Sequence, residues 1–253
     1  MTLTPRMFLI VCPLLFLAGF VDSIGGGGGL ISLPAYLFAG LPVHAAVATN
    51  KLSSACGTSV VTARFIKNGL VNFRVVLPGV AAAMLGSAIG AKLSLLASEA
   101  LIRWLLLPVL PIAAFFVLNR HLFPDRENAP AVADRRTIIV CVVSALLIGV
   151  YDGFYGPGTG TFLIIAFTAL AGMPMALSNG QAKVINLTTN LTSLAVFLAN
   201  GQVVWLLGLA GAACNMAGSY LGSGLAIRKG AKIVRPVILA VLALLFIKIL
   251  SEL

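Results

Sequence analysis

The two halves of this chain repeat one pattern, and that duplication limits the folds it can adopt. Each half opens with an apolar segment broken by glycine, reading GFVDSIGGGGGLISLPA from residue 19 and GVYDGFYGPGTGTFLII from residue 149. Asp22 and Asp152 correspond at an offset of 130, and Lys51 and Lys183 correspond at an offset of 132. The same offset of 132 relates Gly40 to Gly172, Pro42 to Pro174, Gly69 to Gly201, Gly86 to Gly218 and Gly90 to Gly222. In a membrane protein, paired broken segments of this kind indicate a substrate path between two repeats.

The composition places the chain in a lipid bilayer. Hydrophobic residues make up 60% of it and charged residues 9%, whereas a soluble domain carries about 25% charged residues. Apolar stretches such as 75–91 and 203–227 are long enough to cross a membrane. The net charge of +10 comes from basic residues in short loops, a pattern typical of cytoplasmic loops. We therefore predict no nucleic-acid partner.

We predict an all-α membrane protein built as an internally duplicated helical bundle. Repeat 1 covers residues 1–118 and consists of a broken segment at 7–40 followed by three spanning helices. A polar linker at 119–136 joins it to repeat 2, which covers residues 137–253. Repeat 2 follows the same plan and has its broken segment at 137–171.

The first apolar block of each half is too short for two crossings and too rich in glycine for one continuous helix. The two blocks contain 34 and 35 residues, and one span needs about 20. Each helical glycine costs about 1 kcal/mol relative to alanine, so the run Gly25–Gly29 must break the helix. Either a discontinuous crossing or a re-entrant hairpin fits, because open backbone is tolerated only inside protein or beside water.

Loop charge favours the hairpin. The loops 64–74 and 228–235 carry only positive charges, and the linker 119–136 carries four positive charges against three negative ones. If each first block returns to its own side, all three basic segments are cytoplasmic and both termini lie outside. The repeats then have inverted topology. If each block crosses once, the loop 228–235 is placed outside, against the positive-inside rule.

Lys51 and Lys183 are the residues best suited to hold an anionic substrate. Each lies inside an apolar helix, where an ionised side chain is costly unless it is paired or hydrated. Asn50 precedes Lys51, and at helical spacing Asn179 and Asn186 share a face with Lys183. We predict that these residues line a substrate site. The alternative is structural: the lysines pair with the two aspartates, and the amides join helices.

Asp22 and Asp152 precede the two glycine runs, and two roles for them stay open. Each can cap the amides of the broken backbone, or pair with a lysine and carry a coupling ion. The helix after each run begins with free amides and partial positive charge, which suits an oxyanion. The glycines assigned to this substrate site are Gly27, Gly28, Gly29 and Gly158. The sequence contains no catalytic constellation or phosphate-binding loop, so we predict no enzyme activity, no cofactor and no metal.

With these motifs the chain resembles the sulfite exporter TauE/SafE family, also called the four-toluene-sulfonate uptake permeases. The matching segments are GFVDSIGGGGGLISLPA, GLPVHAAVATNKLSSACGT and GVYDGFYGPGTG, and the resemblance extends over essentially the whole chain. It implies transport of sulfite, organosulfonates or other small sulfur-containing acids across the inner membrane of bacteria. The positions that fall on the family's repeated signature are Asp22, the glycines 25–29, Asn50, Lys51, Asp152 and Lys183.

The sequence and the resemblance together predict a secondary transporter, and specifically an exporter, of a small sulfur-containing anion. The alternatives are an anion channel, a transporter of another small carboxylate or oxyanion, and a membrane-embedded enzyme or assembly factor. The expected partners are the anionic substrate and the lipid bilayer. A coupling ion, either a proton or sodium, and a homodimer stay open.

Overall fold

The computed structural model describes residues 3–98, 101 and 134–230, together with 232, 233, 236, 237 and 240. Within these residues the chain is helical and contains no strand, which confirms the predicted all-α fold. Most of the predicted linker 119–136 lies outside them, and so does most of the last predicted spanning helix of each half, at 101–118 and 235–251. The helices are α1 (Pro5–Gly25), α2 (Gly29–Phe38), α3 (Val43–Lys67), α4 (Phe73–Leu96), α5 (Arg135–Phe154), α6 (Thr159–Ala169), α7 (Met175–Ala199) and α8 (Trp205–Lys229).

Helix lengths match the thickness of a bilayer. Among the described helices, α1, α4, α5 and α7 are long and apolar enough to cross a membrane. Helices α3 and α8 have 25 residues each, and their polar and small side chains lower their hydropathy. Helices α2 and α6 have only 10 and 11 residues. At 1.5 Å per residue they reach roughly 15–17 Å, about half of a hydrocarbon core.

Each glycine run ends one helix and starts the next. Gly26 and Gly27 separate α1 from α2 and have φ angles of 78° and 81°. Gly156 and Gly158 separate α5 from α6 and have φ angles of 98° and 88°. These left-handed conformations are open to glycine and strained for other residues, so the backbone turns where the sequence supplies glycine.

Helices α3 and α8 lie side by side and run in the same direction. Near their starts, the Val204 amide donates to Thr49 Oγ1 at 3.0 Å. Near their ends, the Arg64 guanidinium carbon lies 4.2 Å from the centre of the Tyr220 ring. Both helices therefore start at one end of the bundle and finish at the other.

Helices α4 and α7 form a second parallel pair that runs the opposite way. Near their starts, Gln181 Nε2 donates to the Asn72 carbonyl at 3.2 Å, and deeper in the bundle Ser87 Oγ donates to the Thr189 carbonyl at 2.7 Å. Short loops carry the chain from α3 into α4 and from α7 into α8. Helices α4 and α7 therefore begin at the end where α3 and α8 finish.

The first broken segment folds back on itself. Leu15 of α1 and Tyr36 of α2 both lie against Gly211 of α8, so α2 retraces the path of α1. A short loop then joins α2 to the start of α3. The segment thus returns to the end of the bundle from which it entered.

The second broken segment folds back from the other end. Gly86 and Gly90 of α4 lie on the backbone carbonyls of Leu146 and Val150 in α5. The order of these contacts means that α5 runs parallel to α4, away from the end where α4 begins. Helix α6 then leads back to the start of α7 at that end.

Glycine allows the closest helix contacts in the bundle. The sequence pairs Gly86 with Gly90 and Gly218 with Gly222 at the small-x-x-x-small spacing of packed membrane helices. In the structure the first pair packs on the backbone of α5 and the second on the backbone of α1. A Cβ at any of these four positions would overlap backbone atoms of the neighbouring helix.

Basic side chains collect at one end of the bundle, where α3 and α8 finish and α4, α5 and α7 begin. We call this the basic end, and the end with the loops 39–42 and 200–204 the opposite end. The described positive residues at the opposite end are Arg6 and Lys92. Those at the basic end are Arg64, Lys67, Arg74, Arg135, Arg136, Arg228, Lys229 and Lys232.

Candidate functional site

Both lysines singled out by the sequence are buried at matching depths in matching helices. Lys51 is 1% exposed and Lys183 is 0% exposed. Each lies eight residues after the start of its helix, Val43 for α3 and Met175 for α7, which is about 12 Å along the axis. Because α3 and α7 start at opposite ends of the bundle, the two lysines approach its centre from opposite directions.

Each lysine forms an ion pair with an aspartate from the other half of the sequence. Lys51 Nζ lies 2.8 Å from Asp152 Oδ2, and Lys183 Nζ lies 2.9 Å from Asp22 Oδ2. Lys183 Nζ also donates to the Asp22 backbone carbonyl. An isolated ion in this environment would carry a large desolvation cost. Pairing with the aspartate of the other half neutralises each lysine. The ion pairing considered as a structural alternative is thus present in the structure.

The two glycine turns meet at the centre of the bundle. Thr161 Oγ1 of α6 donates to the Gly25 carbonyl of α1 at 2.9 Å. Gly29 packs against Pro157, and a Cβ on it would lie 3.0 Å from Pro157 Cα. Gly26 contacts the backbone of Gly160. The turns therefore bring Asp22 and Asp152 to the two lysines.

The aspartates also bind the backbone and side chains of the glycine turns. The Gly28 amide donates to Asp22 Oδ1 at 3.1 Å, so Asp22 acts as the cap considered from the sequence. Asp152 Oδ1 instead accepts from Thr159 Oγ1 at 2.7 Å. Each carboxylate thus uses one oxygen for a lysine and the other for a donor at the start of a short helix.

A small polar cavity lies between the two ion pairs. The space open to the centre of a water molecule is about 20 Å³, which is room for one or two waters, since one needs roughly 10–15 Å³. The predicted site residues that line it are Asp22, Gly27, Gly28, Gly29, Asn50, Lys51, Asp152, Gly158 and Asn186.

Two predicted residues lie behind the cavity wall. Lys183 is fully buried and reaches the cavity only through its bond to Asp22. Asn179 Nδ2 donates to the Ile24 carbonyl at 2.8 Å, which occupies a backbone acceptor at the end of α1. Asn179 therefore secures the break between α1 and α2.

The cavity also contains side chains that were not assigned to the site from the sequence. Ser54 and Thr58 follow Lys51 by three and seven residues, as Asn186 and Asn190 follow Lys183. Helical spacing places Ser54 and Asn190 on the lysine faces, and comparing the halves at the offset of 132 adds Thr58. Asn215 has no such signal, since its counterpart is Ala83. The remaining unassigned lining residues are Gly156, Thr159 and Gly160.

Buried cations, helix-start donors and amide side chains around a small polar cavity, within a bundle of spanning helices, are features of a membrane transporter. The chain belongs to the family described as Sulfite exporter TauE/SafE, which it matches over residues 11–249. The predicted family, and with it the class of multi-pass membrane transporter, is confirmed.

Curated relatives support the same class. The chain is 35% identical to the probable membrane transporter protein ORF9 of Sinorhizobium sp, over 94% of this chain and 90% of the relative. It is 33% identical to the probable membrane transporter protein YfcA of Escherichia coli K12, over 98% and 91%. It is 34% identical to a probable membrane transporter protein of Haemophilus influenzae, over 88% and 86%. No solved structure matches the chain.

Proposed function

We propose that this protein is a secondary transporter that exports a small sulfur-containing anion, such as sulfite or an organosulfonate, across the bacterial inner membrane. The observation that carries the proposal is the pair of crossed lysine–aspartate contacts at the meeting point of the two glycine turns. The family description supplies sulfite as the first substrate to test.

The donors around the cavity suit an oxyanion. Lys51, the Gly28 amide, the Thr159 hydroxyl and the amide of Asn186 all lie at its wall. Ammonium groups and helix-start amides form charge-assisted hydrogen bonds with anionic oxygens. A sulfonate presents three such oxygens, so several of these donors can bind it together.

The arrangement of helices supports inverted repeats with re-entrant openings. Helices α3 and α7 occupy the same place in their halves and run in opposite directions, as do α4 and α8. Each broken segment returns to its own end of the bundle. We propose that the basic end is cytoplasmic, because positively charged loops are retained there.

The small volume of the cavity favours a carrier over an open channel. A space of about 20 Å³ admits water and is too small for a sulfonate. Substrate passage therefore requires the helices to rearrange, as in transporters that bind substrate between inverted repeats.

A substrate screen followed by flux measurement tests this proposal. Purified protein in detergent is heated with sulfite, sulfate, methanesulfonate, sulfoacetate, taurine or acetate, and the shift in melting temperature identifies ligands. Flux of the best ligand into proteoliposomes should saturate with concentration and fall with Lys51→Met. Non-saturating flux would instead indicate a channel. Preference for acetate over every sulfur anion would contradict the proposed substrate class.

A further inference from the structure

We infer that the anion crosses together with a proton, which Asp22 accepts when the anion takes its place on Lys183. This inference rests on the proposed function and specifies how that site is coupled. The outward concentration gradient of the anion then drives export, because the accompanying proton moves against the usual inward proton gradient. Three features of the centre support the inference. They are the occupation of anion-binding donors by the Asp22 carboxylate, the zero net charge of the four ionised side chains, and the greater solvent exposure of Asp22 than of Asp152.

The Asp22 carboxylate already occupies donors that a substrate oxyanion would use. Its Oδ2 lies 2.9 Å from Lys183 Nζ, and its Oδ1 accepts from the Gly28 amide at 3.1 Å. An ammonium group and an amide at a helix start are the two donor types expected of an anion site. An incoming anion can reach both only after Asp22 has left them.

Charge balance determines what must accompany the anion. The two lysines and two aspartates at the centre sum to zero. An added anion would leave one uncompensated negative charge in a site with almost no water, which is costly. Protonation of one aspartate restores neutrality and at the same time removes the charge that holds it on its lysine.

Asp22 is the aspartate that water can reach. Its side chain is 18% exposed, whereas that of Asp152 is 3% exposed. Asp152 is also held by the Thr159 hydroxyl at 2.7 Å and by Lys51 at 2.8 Å. A proton can therefore reach Asp22 from the cavity more readily than it can reach Asp152.

The other groups around Asp22 leave it as the proton acceptor. Among the described residues, the charged groups at this centre are Asp22 on α1, Lys51 on α3, Asp152 on α5 and Lys183 on α7. Helices α2, α6 and α8 contribute glycine, threonine and asparagine to the cavity wall, and these do not titrate near neutral pH.

Proton uptake on ligand binding tests the inference directly. Methanesulfonate, whose charge does not change near neutral pH, is added to purified protein in weakly buffered solution with a pH indicator dye. Sulfite is the second probe. We expect uptake of about one proton per anion bound, so the apparent Kd should rise about tenfold per pH unit over the pH range in which the unliganded protein keeps both ion pairs. The sign follows because the complex holds the extra proton, so binding is tighter at low pH.

Three variants locate the proton. Asp22→Asn should still bind methanesulfonate, with no proton uptake and a Kd that does not vary with pH, and Asp22→Glu should restore the pH dependence. Lys51→Met/Asp152→Asn, which keeps the centre neutral, is the matched control and should bind more weakly and keep the uptake. In proteoliposomes, wild-type flux should follow the pH gradient and ignore membrane potential, whereas Asp22→Asn flux should respond to potential. Replacing sodium with choline should change neither the wild-type flux nor the Asp22→Asn flux.

Each contrary result has a separate meaning. Wild-type binding of methanesulfonate without proton uptake, or of sulfite with no uptake beyond that of its own bisulfite equilibrium, contradicts the inference and leaves the proposed function standing, and this measurement needs no variant. Unchanged uptake in Asp22→Asn, or loss of uptake in Lys51→Met/Asp152→Asn, also contradicts it. Failure of the wild type to bind either probe counts against the proposed function and the inference together.

Discussion

Removing one member of the Lys51–Asp152 pair should destabilise the protein more than removing both. At 2.8 Å and an effective dielectric constant of about 20, two unit charges attract by about 6 kcal/mol, and their desolvation offsets much of this. Lys51→Met leaves Asp152 buried with one hydroxyl donor, for an expected loss of about 3–5 kcal/mol. The double variant Lys51→Met/Asp152→Asn leaves no buried charge and should lie within about 1 kcal/mol of wild type.

An unfolding cycle measures this coupling. The wild type, the two single variants and the double variant are titrated with SDS in mild-detergent micelles, and helix loss is followed by circular dichroism. The expected coupling energy is about 3 kcal/mol or more. The same cycle on Lys183 and Asp22 should give about 1–2 kcal/mol, because Asp22 is 18% exposed and water screens its charge. Additive effects at Lys51 and Asp152 would refute the reasoning.

Flux through the double variant separates a structural lysine from a substrate-binding one. Lys51→Met/Asp152→Asn should fold and purify well, and yet its flux in proteoliposomes should collapse because an anion-binding cation is missing. Normal flux would mean that the ion pair only stabilises the fold.

Three further predictions concern topology and packing. A cysteine replacing Asn200 at the opposite end should react with a membrane-impermeant maleimide in intact cells, and one replacing Asn68 at the basic end only after permeabilisation; the reverse pattern would contradict a cytoplasmic basic end. Gly90→Val should destabilise the bundle by about 3 kcal/mol because its side chain would meet the Val150 carbonyl, while exposed Ala81→Val on the same helix should not. Gly158→Ala, at a φ of 88°, should cost about 1–2 kcal/mol in the same SDS assay, and an unchanged midpoint would argue against the observed turn.

Matching the two halves of the sequence identified the charged residues of the centre but not their partners. The constant offset selects Asp22, Asp152, Lys51 and Lys183 without any structure. It leaves open which aspartate meets which lysine, and proximity in sequence favours pairs within one half. The structure forms both pairs between halves, because the glycine turns enter from opposite ends and meet at the centre.

Sequence periodicity was also unable to distinguish residues that line the cavity from residues beside it. Asn179 and Asn186 share a helical face with Lys183, yet Asn186 lines the cavity and Asn179 binds the Ile24 carbonyl. The difference arises because α1 ends beside Asn179, a contact between distant segments. Asn215 enters the cavity for a similar reason, since α8 packs along both α1 and α3.

The groups of helices that pack together differ from the two repeats of the sequence. Helix α8 of the second half packs tightly on α1 and α3, and α4 of the first half packs on α5 and α7. We therefore describe two spatial units, α1, α2, α3 and α8 on one side and α4, α5, α6 and α7 on the other, with α3 packed on α7 at their boundary. The hydrogen bond from Thr161 to Gly25 and the contact of Gly29 with Pro157 join these units.

Both ion pairs also cross between the two units. Lys51 on α3 reaches Asp152 on α5, and Lys183 on α7 reaches Asp22 on α1. A movement that separates the units must break these pairs, and each separated charge would then face a medium that solvates it poorly. An anion on a lysine, together with a proton on the released aspartate, removes that cost. In the proposed mechanism, crossed pairing therefore favours a closed centre when the substrate is absent and allows the units to separate when it is bound.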